Sequence, residues 1–193
     1  MALLDLPLRE FLDEVAAEGT TPGGGSVAAL VTAFAAGLLA KVARASAATW
    51  PEAAGIAAQA ESLRARASAL VQADADHYEA ALRARGQSGE GQGARLDFEL
   101  GQAYAKAAEP PLEIAQAASD VALLALTVAQ SGDPALRADA VTAALLAAAA
   151  AKAGAELVAV NLTASADDPR VLGAAKVAEE AARAAETARA VRE

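Results

Sequence analysis

The sequence predicts an all-α fold: a single-domain bundle of about seven helices, with two long apolar helices at its centre. Hydrophobic residues make up 55% of the chain but aromatics only 3%, so alanine, leucine and valine must build the core. Alanine is the strongest helix former, and small side chains let helices approach closely. No run of β-branched or aromatic residues alternates with polar ones over a useful length, so strand signals are missing. A length of 193 residues suits one domain with a real core, and neither a linker nor a repeat of fixed period divides it, so residues 1–193 are read as one unit.

The elements follow in order. Leu4, Leu8, Phe11, Leu12 and Val15 place an apolar stripe on a first helix over Leu3 to Ala17, with acids on its other side. Glu18-Gly19-Thr20 ends it. Thr21-Pro22-Gly23-Gly24-Gly25-Ser26 then forms a loop in which proline fixes one backbone angle and three glycines remove the side chains. A second helix is expected from Ser26 to about Ser46, its first amides facing outward from that bare turn, a geometry suited to an anion or polar group. Lys41 and Arg44 close this helix and complement its dipole.

A third helix begins near Pro51, where proline is tolerated in the first turn, and reaches Arg85. Residues Gly86 to Gly93 read as a solvated connector, with an active-site lid as the alternative. A fourth helix spans Ala94 to Ala108 and stops at Pro110-Pro111; a fifth spans Leu112 to Gln130 and ends at Ser131-Gly132-Asp133-Pro134. The sixth, Leu136 to Leu162, is the second apolar helix. Asp167-Asp168-Pro169 starts the last, whose Glu179, Glu180, Arg183, Glu186 and Arg189 form a solvated face of charge pairs.

Composition excludes several function classes. A net charge of -9 and a pI near 4.7 argue against nucleic acid or an anionic membrane as partner. Without cysteine there is no disulfide, thiolate or zinc–thiolate chemistry. The N-terminal residues lack a signal peptide's basic start and apolar run, and the apolar runs Val27 to Ala40 and Ala140 to Ala151 fall short of the roughly 20 residues a bilayer needs. A cytoplasmic protein is expected. No nucleophile–histidine pattern, phosphate loop or dinucleotide fingerprint is present.

Polar residues on apolar faces mark the candidates for chemistry. Asp139 opens helix six before a long alanine run, either as a helix-start residue favoured by the dipole or as a group held in a site. Asn161 interrupts Val158-Ala159-Val160, with a C-terminal cap as its simplest role. Asp74 and Tyr78 share one face of helix three at i,i+4, while Asp76 and His77 point elsewhere. A histidine beside carboxylates could bind a metal, but one histidine and no cysteine make that the weaker reading against a surface cluster, and no metal site is expected.

Taken in order, these stretches resemble the cyclodeaminase/cyclohydrolase family, which comprises the C-terminal half of formiminotransferase-cyclodeaminase and the bacterial methenyltetrahydrofolate cyclohydrolases. The matching elements are the glycine loop running into Val27-Ala28-Ala29 and Asp74 followed by aromatic Tyr78, then Pro110-Pro111-Leu112-Glu113-Ile114-Ala115. Gly132-Asp133-Pro134 with Asp139 and Ala143-Ala144, and finally Val160-Asn161-Leu162, complete the series. The resemblance implies an all-helical homodimer that binds a tetrahydrofolate derivative as substrate, needs no cofactor, and works beside a formiminotransferase in some settings. It implies Asp139 and Asp74 as acid/base candidates, with Pro22, Gly23, Gly24, Gly25, Ser26 and Asn161 around the substrate. The chain departs from the family pattern in three places. Ala47-Ala48-Thr49-Trp50 stands where a lysine-rich run is usual, Ala138 where serine is frequent, and Leu157 replaces an asparagine. These departures motivate a second reading, a non-catalytic or substrate-drifted helical dimer that binds a small molecule.

Overall fold

The computed structural model describes residues 2–87, 94–162 and 167–191. Among the described residues seven α-helices are seen: α1 (Leu8–Ala16), α2 (Gly24–Ala45), α3 (Ala53–Gln87), α4 (Ala94–Ala107), α5 (Glu109–Ser131), α6 (Arg137–Leu162) and α7 (Pro169–Ala190). Two short 3-10 turns, Leu3–Asp5 and Pro134–Leu136, precede α1 and α6, and no strand occurs among the described residues. Residues 88–93, which hold most of the expected glycine connector, lie outside the described residues; Gly86 and Gln87 continue α3.

The boundaries differ from expectation where proline or glycine was read too simply. Pro7 separates the Leu3–Asp5 turn from α1, so the first predicted helix is two pieces. Pro110 and Pro111 do not stand between helices but occupy the first turn of α5, where their missing amides are tolerated. Gly24 and Gly25 belong to α2, which therefore starts two residues before Ser26, with Gly23 as its N-cap.

Helices α2, α3, α5 and α6 pack side by side around the core, α7 covers α5 and α6, and α4 lies along α3. Alanine dominates the buried side chains; Leu39, Val42, Val71, Ile114, Val121, Val128 and Val158 are among the larger fully buried ones, and Phe11, Trp50 and Leu70 are buried as well. Gly154 shows how close the central helices come. A Cβ there would lie 2.8 Å from the Pro111 carbonyl oxygen and 3.1 Å from the Ala115 Cβ.

Measured as whole helices rather than uninterrupted apolar runs, Gly24–Ala45, Phe98–Ser131 and Pro134–Leu162 are each long and apolar enough to cross a membrane, by length and composition. The expectation that they are too short is thereby corrected, because isolated polar residues such as Thr32 and Thr142 do not interrupt a helix. In the fold 61% of the apolar window of α2 is buried, against 39% for that of α6, so α6 turns part of an apolar face outward.

Candidate active site

The loop before α2 lies against α3 and the end of α6. Together they enclose a cleft of about 230 Å³ lined by Thr20, Thr21, Gly23, Gly24, Gly25, Asp74, Tyr78, Leu157, Val160 and Asn161. The loop is anchored by Thr21, whose Oγ1 donates to Glu79 on α3, and its Thr21–Pro22 peptide is cis. A wider surface depression of about 500 Å³ between α3 and α5, lined by residues such as Gln59, Leu63, Asp120 and Thr127, includes no buried carboxylate.

Asp74 is the buried acid of the cleft. It is 9% exposed, and Ser26 Oγ donates to its Oδ2 at 3.3 Å, with the Ser26 backbone N–H also favouring the ionised carboxylate. A carboxylate at the N-terminus of α2 meets the positive end of the helix dipole and the first-turn amides that have no helical acceptor. Burial nevertheless prevails and raises its pKa above the ordinary value, against the lowering effect of the Ser26 hydrogen bonds and of His77.

Gly25 makes this arrangement possible. A Cβ built there would fall inside the Asp74 carboxyl group, whereas one on Gly24 would meet only Leu157 Cδ1 at 4.0 Å. The middle glycine is exposed to the cleft; the last one is the seat of the acid. On the opposite wall Asn161 is 7% exposed and donates Nδ2 to the Ala107 carbonyl at 2.9 Å. It lies inside α6 and bonds across to the end of α4, so the capping role expected of it is replaced by a tertiary one.

The structure therefore brings Gly23, Gly24, Gly25, Ser26, Asp74 and Asn161 together, with Pro22 buried in the loop behind them. It does not bring Asp139 there. Asp139 sits in the first turn of α6, twenty-two residues before Asn161, which at 1.5 Å per residue is about 33 Å along one helix. Its Oδ2 accepts from Lys41 Nζ at 2.7 Å, in an exposed ion pair at the far end of α2. The pairing of Asp74 and Asp139 across one cleft of one chain is corrected by that distance. Helix length alone carried the signal, because the predicted sixth helix already held Asp139 at one end and Asn161 at the other.

Thr20, Thr21, Leu157 and Val160 line the cleft without having been singled out as binding residues. Leu157 was legible as the residue one turn before Asn161 on the same helical face. It is also the family departure that falls inside the site, giving the wall a branched apolar side chain where an amide is usual. The departing Ala47–Trp50 stretch follows the other end of α2.

Comparison with known proteins agrees with this architecture. Residues 7–189 match the family described as formiminotransferase-cyclodeaminase. The crystal structure of formiminotetrahydrofolate cyclodeaminase from Thermotoga maritima is similar with a TM-score of 0.80 and 28% sequence identity, covering 96% of this chain and 93% of that one. Among curated proteins none matches the chain.

Proposed function

The chain belongs to the formiminotransferase-cyclodeaminase family, and on that premise we propose that it is a folate one-carbon enzyme that closes 5-formiminotetrahydrofolate to 5,10-methenyltetrahydrofolate with release of ammonia. The observation that carries this reading is the buried Asp74 carboxyl group held at the glycine-lined start of α2, facing a cleft. In the reaction the folate N10 attacks the formimino carbon, giving a tetrahedral carbon bonded to N5, N10 and the departing nitrogen. With the formimino group bound as its protonated amidinium, the proton released from N10 must reach that nitrogen, which leaves as ammonia while the N5–C–N10 bridge keeps the positive charge. Asp74 can accept the first proton and deliver it to the second position, and as a carboxylate it stabilises the cationic amidine. Its raised pKa brings it nearer the working pH of a proton shuttle.

The same site admits the neighbouring reaction, hydrolysis of the methenyl bridge to 10-formyltetrahydrofolate, because it passes through a tetrahedral carbon at the same place. The methenyl group absorbs in the near ultraviolet, so one spectrophotometric assay separates the two. Cyclodeamination produces the band from the formimino substrate; hydrolysis removes it. Neither rate being accelerated, together with no heat of tetrahydrofolate binding, overturns the folate reading in favour of a non-catalytic binding protein.

Two copies are proposed to pair through the apolar face that α6 turns outward. Support comes from Phe34 on α2, 55% exposed, and from Leu145, Leu146 and Val160 on α6, all exposed on these two neighbouring helices. Phe34→Asp is expected to shift the sedimenting species to half its mass; an unchanged species excludes this face as the contact.

A further inference from the structure

Helices α4 and α5 follow one another with only Ala108 between them, itself in helical conformation. Ala108 N–H bonds to the Tyr104 carbonyl and Leu112 N–H to the Ala108 carbonyl, so the i to i−4 pattern holds on both sides of the junction. Between them the amides of Pro110 and Pro111 would serve the carbonyls of Lys106 and Ala107, but proline has no N–H to donate. Two side chains from other helices take those carbonyls instead. His77 Nδ1 on α3 lies 3.0 Å from the Lys106 oxygen, and Asn161 Nδ2 on α6 donates to the Ala107 oxygen at 2.9 Å.

A carbonyl can only accept, so this bond sets which way round the Asn161 amide lies: NH₂ toward Ala107, Oδ1 away from it. Asn161 is buried and lines the cleft, and Oδ1 has no hydrogen-bond partner among the described residues. The amide thus shows the cleft an acceptor. Across from it the first-turn N–H groups of Gly24 and Gly25 are donors with no helical acceptor.

We propose that Asn161 is a specificity-determining residue whose Oδ1 accepts a hydrogen bond from an N–H group of the bound tetrahydrofolate, with its orientation imposed by Pro111 through the Ala107 carbonyl. This rests on the folate reading above. Two parts of the ligand can supply the N–H: the pterin ring, present in every tetrahydrofolate, and the formimino nitrogen, present only in the substrate.

The test is calorimetric binding of tetrahydrofolate and of 5-formiminotetrahydrofolate to the full chain. Asn161→Leu keeps the branching of the side chain, at a larger volume, and removes the acceptor, and is expected to weaken binding about ten- to a hundred-fold. Equal losses for both ligands assign the N–H to the pterin ring; loss for the formimino ligand alone assigns it to the departing nitrogen. Because this variant also strips the Ala107 carbonyl of its donor, the same change is made on a Pro111→Ala background, where the alanine amide can serve that carbonyl. Pro111→Ala alone frees the Asn161 amide to turn and is expected to cost several-fold in the same affinity at an unchanged set of cleft side chains. Binding by the double variant within twofold of Pro111→Ala overturns the inference while leaving the folate reading standing. If the unaltered protein binds neither ligand, the folate reading fails and takes this one with it.

Discussion

Replacing Gly25 with alanine tests the site at its tightest contact, with Gly24→Ala beside it as the internal control. Both residues lie in the first turn of α2, and on helix propensity alone each change is worth up to about 1 kcal/mol in favour of alanine. The surroundings reverse this for one of them. A Cβ on Gly24 meets only Leu157 Cδ1 at 4.0 Å, an ordinary contact, but one on Gly25 overlaps the Asp74 carboxyl group. The acid must leave its seat, losing the hydrogen bond from Ser26 Oγ. Because burial outweighs that bond for the ionised group, its release to water is not itself a loss; the cost is that of forcing a side chain into a packed site, usually about 1–3 kcal/mol, so a net loss of about 2 kcal/mol is expected. For a chain of this size that is a fall of roughly 4–8 °C in melting temperature. With Asp74 displaced, cyclodeamination is expected to fall by about 10²-fold or more, the range for loss of an acid/base group. Thermal melts and the near-ultraviolet assay read both effects. A Gly25→Ala protein that melts at or above the unaltered temperature and keeps its turnover would refute the seating of Asp74 on α2.

Other expectations can be checked alongside. Asp74→Asn should abolish turnover without unfolding the chain, and the pH dependence has a defined sign. Because burial raises the folded-state pKa of Asp74, the unfolded chain releases this proton first, so its contribution to stability falls as pH rises from the ordinary value of 3.8 through the raised one. Denaturant titrations across that window should show Asp74→Asn gaining on the unaltered protein; the opposite trend contradicts the burial argument. Asp139→Asn removes only an exposed ion pair with Lys41, so chemical denaturation should register under about 1 kcal/mol. A single-chain cleft leaves its turnover unchanged, whereas lost turnover at unchanged stability would bring Asp139 of a second copy to the site. Gly154→Ala should lower stability by about 1–3 kcal/mol despite the better helix former, since its Cβ would stand 2.8 Å from the Pro111 oxygen and force α5 from α6. A stabilised Gly154→Ala protein would mean that the two helices separate at little cost.

Local chemistry was readable from the chain itself. Alanine content, helical periodicity and the places of proline and glycine are properties of neighbouring residues, and they yielded the helices, the bare turn before α2, and Asp74 with Tyr78 on one face of α3. The ordered motifs yielded the family. What depended on how helices cross was out of reach. Ser26 and Asp74 are separated by 48 positions and Ala107 and Asn161 by 54, so each contact exists only once α2 lies on α3 and α6 reaches α4. The sequence read Pro110 and Pro111 only as a helix stop; the packing decided that they open α5 and that His77 and Asn161 serve the carbonyls of Lys106 and Ala107. Asp139 shows the converse. Its residue type and motif suited the site, but a rigid helix carries it about 33 Å from the cleft, because rise per residue is set by backbone geometry and not by the chemistry of the side chain.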